Sequence, residues 1–249
     1  MAGKITEIWR YPIKSHGYER ITQAHLTPGQ TLPGDRLWAV LHEAARDRGP
    51  EWVSCNNFTR VAKTPALAAV SASLSDDMMQ VTLTHPNRPE LTFAPDTDEA
   101  AFLEWVAPLM DAGRAAPVKL IRAKGRGMTD SPDPTLSLNN HSTHRAVSQK
   151  VGMPLDIRRW RGNVWLEGLG PWEEFEWIGR SLKLGEAELK VTERITRCLA
   201  TATNPKTGIR DADTLGALEE GWEHRDFGVY AVVTKPGPIQ EGDTLQLLP

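Results

Sequence analysis

Cys198 is one of only two cysteines in the chain, the other being Cys55, and Arg194 and Arg197 stand beside it. Cationic neighbours favour the thiolate, and a thiolate is a ligand for soft metals. Arginine is dense elsewhere too. Arg158, Arg159 and Arg161 bracket Trp160 ahead of Gly162 and Asn163. The planar guanidinium fork suits phosphate groups. Lys14 and Ser15 follow a Tyr11-Pro12-Ile13 break, where backbone and side-chain donors could meet an anion. Arg36, after Gly34-Asp35, would project from the mouth of a buried strand. On residue type alone the plainer alternatives stay open: a cysteine can be a small core hydrophobe, and a basic turn can simply be solvated. His141 and His144 have helical i, i+3 spacing but no third ligand nearby, so they do not make a zinc site. Glu173, Glu174 and Glu176 lie among Trp172, Phe175 and Trp177 and read as an exposed loop with aromatic anchors. No phosphate-binding glycine loop, dinucleotide fingerprint or nucleophile elbow is present.

The elements that must position these groups are mostly strands. Ile5, Ile8 and Trp9 precede the Tyr11-Pro12 break, and Arg36 to Leu41 is a short apolar run. Met79 to Phe93 alternates about the turn His85 to Pro89, which predicts a hairpin. Phe102, Leu103, Val106, Leu109 and Met110 form one face of a helix, with N-cap candidates at Asp96 to Asp98 and a bend at Pro108. Val118 to Ile121 is a strand. Lys124 to Pro134, rich in glycine, proline and charge, reads as a mobile loop between two halves. A helix is expected from Ser142 to Val151, stopped by Gly152, and another near Asp213 to Glu220. Strands are expected at Asn163–Leu166, Ser181–Leu184, Glu188–Val191, Val229–Val233 and Thr244–Leu248. Asn204 to Gly208 is a turn, so Cys198 should end a strand that opens into a loop. Many short strands and few helices indicate a mainly β, α+β chain of barrels or sandwiches with peripheral helices. The expected halves are residues 1–122 and 123–249.

Bulk properties narrow the function. Hydrophobic residues make up 40% and charged residues 24%, the balance of an ordinary globular chain. The net charge of -3 offers no basic excess to drive nucleic-acid binding, so an anionic ligand must be held by a local cluster. Two cysteines cannot ligate a four-cysteine iron–sulfur cluster. The N-terminus lacks a signal-peptide core and no run of about 18 apolar residues occurs, so no membrane span is expected and the cytoplasm is the default compartment.

Seven segments then fall in a familiar order. They are Tyr11-Pro-Ile-Lys-Ser15, Gly34-Asp-Arg36, Arg161-Gly-Asn163, Thr196-Arg-Cys198, Asn204-Pro-Lys-Thr-Gly208, Phe227-Gly-Val-Tyr230 and Gly242-Asp243. Together they resemble the MOSC-domain proteins across nearly the whole chain, and most closely the amidoxime-reducing components and their bacterial relatives. The resemblance implies a MOSC N-terminal β-barrel-like domain followed by a MOSC β-barrel domain, and a bound molybdenum cofactor, Mo-molybdopterin. It implies Cys198 as the metal ligand and catalytic residue. Lys14, Ser15, Arg36, Ser142, Arg161, Asn163, Thr196, Arg197 and Tyr230 are the implied cofactor contacts, with His141 beside Ser142. The implied activity is reduction of N-hydroxylated or N-oxygenated small molecules, with electrons from a separate ferredoxin- or cytochrome-type protein. Alternatives from the same resemblance are a sulfur carrier using a Cys198 persulfide and a non-catalytic cofactor carrier.

Overall fold

The structure, a computed structural model, describes residues 3–249. Its centre is a sheet of eight strands that mixes both ends of the chain. β1 (Lys4–Arg10) lies between β2 (Glu19–Ile21) and the later strand Val164–Glu167, and β3 (Gln23–Leu26) leaves for a small two-stranded sheet. Next come β4 (Trp38–His42), β5 (Ser71–Leu74), β6 (Val81–His85), β7 (Arg88–Phe93), α1 (Glu99–Val106) and β8 (Pro117–Arg122). The second half supplies β9 (Thr135–Asn140), α2 (His141–Val151), β10 (Val164–Glu167), β11 (Ser181–Leu184), β12 (Ala187–Thr196), α3 (Thr214–Trp222), β13 (Asp226–Lys235), β14 (Gly237–Gln240) and β15 (Leu245–Leu247).

The large sheet runs β15-β11-β12-β13-β9-β10-β1-β2. All its pairings are antiparallel except β9 with β10. It curls until β1 meets the C-terminal segment. Ile5 N donates to Asp243 O at 2.8 Å, Gly242 N to Ile5 O at 2.8 Å and Leu245 N to Gly3 O at 2.7 Å. That closure removes an exposed edge and makes a barrel. Alternating residues fill it: Ile5, Ile8, Leu136, Leu138, Val164, Leu166, Leu189, Val191, Val229, Ala231 and Val233 form one apolar core. β3 pairs with β14, so β1, β2 and β3 all join sheets of the second half.

A separate core lies under β4, the β5-β6-β7 meander and α1, built on Trp38, Val40, Leu83, Phe93, Phe102 and Trp105. The expected hairpin is present as β6 and β7, and α1 bears the expected apolar face. Pro108 is the second residue of the 3-10 turn Ala107–Leu109 that ends that helix, where its missing N–H is tolerated. In the second half, Asn140 Oδ1 accepts Ser142 N at 2.8 Å and Gly152, with φ 81°, stops α2. Asp213 caps α3 in the same way. No helix of the described residues is long and apolar enough to cross a membrane.

Two expectations change. The stretch Lys124 to Pro134 is a packed loop rather than a mobile one. Met128 and Thr129 are buried, and Met128 N bonds Arg36 O at 2.8 Å. Gly127 makes this packing fit, since a Cβ there would lie 2.2 Å from Asp35 O. Composition misled because glycine here serves close approach, not freedom. Glu174 likewise is buried, not in an exposed loop. Its carboxylate accepts from Asn140 Nδ2 at 2.8 Å and Thr143 Oγ1 at 2.8 Å, and burial raises its pKa.

Beneath α2 and α3, Trp160 stacks on Phe227 with ring centres 3.8 Å apart. Its indole N–H donates to His144 Nδ1 at 3.0 Å, so His144 must donate from Nε2 to Leu155 O at 3.0 Å. A proton on Nδ1 would face another donor. Burial lowers the pKa of His144 to about 4, and that of the fully buried His16 also to about 4. Unfolded histidine titrates near 6.5, so the unfolded state binds more protons between those values. Stability therefore rises with pH through that window and is lost on acidification from about pH 6.5 to 4, by at most about 3 kcal/mol per histidine. Thermal unfolding followed from pH 4 to 7 should show this slope, and His144→Gln, which can still accept and donate, should flatten it.

Candidate functional site

Where the barrel rim meets the N-terminal half lies a cavity of about 270 Å³. Its framework starts at Tyr11, whose ring is fully buried. Arg36 lies over that ring at 4.8 Å from its centre and Arg161 at 4.3 Å. Tyr11 N donates to Asp35 Oδ1 at 2.8 Å, and Tyr11 Oη donates to Gly162 O at 3.1 Å. Asp35 also takes the guanidinium of Arg36, which reaches on to Arg161 O at 3.2 Å. Three segments far apart in sequence are thus tied into one knot. Burial and the like charge of Arg36 pull Arg161 down to about 10. Burial pushes the Tyr11 phenol well up, against the pull of both arginines.

The backbone bends to serve this arrangement. Ser15, Arg36 and Arg161 have φ of 65°, 54° and 49°. The left-handed region disfavours residues with a Cβ, and its occupation clusters at functional sites. In each case the residue closes a turn: Ile13 to His16, the entry into β4, and the end of the 3-10 turn Ile157–Trp160.

Lys14 is 97% buried and spends its ammonium on Met128 O at 2.8 Å and Asp130 Oδ1 at 2.6 Å. Desolvation opposes the Asp130 charge, but Lys14, then Arg36 and Arg161, outweigh it and bring its pKa to about 2. The Asp130 side chain is 61% exposed, so this pair adds little to stability. From the barrel side, Asn163 lines the cavity with its amide already committed: Oδ1 accepts Ser137 N and Oγ at 3.1 Å each, and Nδ2 donates to Trp9 O at 3.1 Å. It braces β1, β9 and β10 against one another.

Cys198 follows the end of β12 and caps a 3-10 turn, Leu199–Ala202. Its carbonyl accepts Thr201 N at 3.2 Å and Thr201 Oγ1 at 3.1 Å, which fixes the residue while the thiol stays exposed on the cavity rim. Arg197 turns inward. Nη1 donates to Trp160 O at 2.7 Å and Nε to Phe227 O at 2.8 Å, and burial lowers its pKa to about 10. Arg194 points elsewhere, over the Phe175 ring at 4.3 Å, and does not line the cavity. Thr196 lines it but donates its hydroxyl to Asp226 Oδ1 at 2.6 Å. Tyr230 lines it too; burial, then the charge of Asp130, raises its phenol to about 12.

The cavity therefore gathers Lys14, Ser15, Arg36, Arg161, Asn163, Thr196, Arg197, Cys198 and Tyr230 from the sequence-derived set. Ser142 is the exception. It lies in the first turn of α2, where Arg145 Nη2 donates to its Oγ at 2.7 Å, and it does not line the cavity; His141 bonds Thr6 Oγ1 at 2.9 Å. The reason is direction: β9 runs away from the cavity, so its first residues, Thr135 and Ser137, face it and the helix after its last residue does not. Sequence reasoning also missed Cys55, Arg60, Asp130 and Arg159, all of which line the cavity. Arg159 alone carried a signal, as part of the arginine run.

Six cations and one carboxylate line this space in a chain of net charge -3. Buried cations in such excess favour an anionic ligand. Among the described residues no three His, Cys, Asp or Glu side chains come together to hold a metal ion. A metal bound at Cys198 would need its other ligands from a non-protein group.

The family model of the MOSC domain matches residues 126–246, and that of the MOSC N-terminal beta barrel domain matches residues 2–117. The chain belongs to the MOSC family. Among characterised proteins this MOSC protein is similar to mitochondrial amidoxime-reducing component 1 of Mus musculus, with 23% identity covering 99% of this chain and 82% of the relative. The Homo sapiens protein of the same name is 20% identical, over 99% of this chain and 83% of its own length. Among solved structures, the YuaD protein from Bacillus subtilis aligns with a TM-score of 0.48 and 12% identity, covering 98% of this chain and 94% of that one.

Asp35 is the only carboxylate in the Tyr11 knot and is fully buried. Removing it strands a buried guanidinium, which typically costs about 3–5 kcal/mol. Asp35→Ala should lose stability on that scale in urea unfolding. Asp35→Asn, which keeps an acceptor for Tyr11 N, should lose less.

Proposed function

We propose that this chain is a molybdenum-cofactor-dependent reductase of N-hydroxylated small molecules, with Cys198 as the protein ligand of the metal. The observation that carries this reading is the exposed Cys198 thiol on the rim of a cavity walled by six cations and one carboxylate. The two relatives named as amidoxime-reducing components support it, since each aligns with 99% of the chain. The donor set fits the cofactor. Guanidinium, ammonium and hydroxyl donors suit a phosphate and a pterin edge, and a thiolate suits a metal whose remaining ligands are soft sulfurs.

In this reading Lys14, Ser15, Arg36 and Arg161 hold the anionic part of the cofactor, while Arg197, Thr196 and Asn163 brace the wall that carries Cys198. When bound, the cofactor supplies the two-electron chemistry by which R–NHOH, two electrons and two protons become R–NH2 and water. The chain's own part is binding, orientation and proton placement. Tyr230 keeps its proton at Oη across the physiological range and can donate a hydrogen bond to a departing oxygen. In this reading electrons come from a ferredoxin- or cytochrome-type redox protein, since the two cysteines of these 249 residues do not make a four-cysteine cluster site. A persulfide anion on Cys198 would bring one negative charge to the rim and leave most of the six lining cations unanswered, which favours the cofactor reading over the sulfur-carrier one.

Protein made in a molybdenum-replete host should contain about one molybdenum and one pterin per chain. Cys198→Ala should reduce metal content and amidoxime reduction with a chemical donor by 100-fold or more. A cyanide-labile sulfur on Cys198 with no metal or pterin would overturn the proposal in favour of the sulfur carrier.

A further inference from the structure

Two cavity arginines, Arg60 and Arg159, belong neither to the Tyr11 knot nor to the Arg197 clamp on Trp160 and Phe227. Arg60 bonds Cys55 Sγ through Nη1 at 3.4 Å, has no carboxylate within ion-pair distance, and its Nε is shut off from solvent without an acceptor. Arg159 has a side chain 1% exposed. It gives Nη2 to Asp211 Oδ1 at 2.5 Å and leaves Nε and Nη1 without acceptors. These unmatched donors show guanidinium charge that the chain itself does not fully answer, and an anion in the cavity beside them would answer it.

The two arginines flank the wall that continues from the thiol. Ala200 and Thr201 line the cavity directly after Cys198. Asp211 N bonds Ala202 O at 3.1 Å while Asp211 holds Arg159. Arg210, the residue before Asp211, reaches Ala62 O at 2.8 Å, two residues from Arg60. Arg60 is the more open of the two and Arg159 the more enclosed, so their parts differ. The Cys55 thiol orients Arg60 without neutralising it.

We propose that Arg60 anchors a carboxylate carried by the substrate, with Arg159 adding positive potential from within the wall, so that the preferred N-hydroxylated substrates are acidic ones. This rests on the reductase reading above. A planar carboxylate matches the single guanidinium fork of Arg60, and its charge meets cations that the cofactor-binding set leaves over.

The test uses cofactor-loaded enzyme with a chemical electron donor and two substrates, benzamidoxime and 4-carboxybenzamidoxime. Wild-type enzyme should show a kcat/KM at least ten-fold higher for the acid. Arg60→Gln should lower the acid-to-neutral ratio of kcat/KM ten-fold or more, mainly through KM, and Arg60→Lys should restore part of it. Calorimetric binding of the product, 4-carboxybenzamidine, reads the anchor without turnover and should weaken at least ten-fold in Arg60→Gln. If neither substrate is reduced but the product binds and Arg60→Gln weakens it, the reductase reading falls and the anchor stands. Equal use of both substrates by wild type, equal product binding by the variant, or loss of molybdenum and pterin in Arg60→Gln would each overturn the proposal. So would extraction of a cofactor with a second phosphate, since that anion would then occupy Arg60.

Discussion

One buried phenol ring holds two guanidinium groups against it, and the cavity depends on that contact. Arg36 and Arg161 both lie over Tyr11, and a single enclosed carboxylate, Asp35, answers them. A desolvated cation over an aromatic ring gains about 2 kcal/mol, but two like charges in one enclosed space repel. Backbone carbonyls give the two groups further acceptors: Arg161 O receives Arg36, and Gly17 O receives Arg161. Each of the joined segments comes from a different stretch of chain, so the cavity exists only once the barrel and the N-terminal half are both in place.

Arg197 repeats the device on the other wall. Its guanidinium is clamped to Trp160 O and Phe227 O, whose own rings stack on one another. The stack is in turn oriented by His144. A residue directly before the thiol is thereby fixed by the core under α2 and α3. Cys198 needs no side-chain contact of its own to be held, because its carbonyl is pinned by Thr201 and its neighbour by this stack.

Much of the fold was legible because periodicity reports burial directly. The β6-β7 hairpin and the caps of α2 and α3 follow from local pattern and need no knowledge of the rest of the chain. The cavity residues were legible as a resemblance, through motifs whose glycines, prolines and turn residues shape the backbone. What stayed hidden depends on distance and direction. That Ser142 does not line the cavity was not legible, because a sequence does not say which end of β9 faces it. Lys124 to Pro134 looked loose because its order comes from Lys14 and Asp35, about a hundred residues away. Arg60 and Asp130 had no local pattern at all, and Glu174 hid among acidic neighbours that are solvated. The assignment of β1 to β3 to the later sheet is likewise a long-range pairing that no local window contains.

Ser15, Arg36 and Arg161 share a backbone conformation that glycine or asparagine would adopt more readily. Glycine at any of the three would relax its turn while removing a polar side chain from the cavity wall. At these three turns the ease of the backbone and the donor content of the cavity pull in opposite directions.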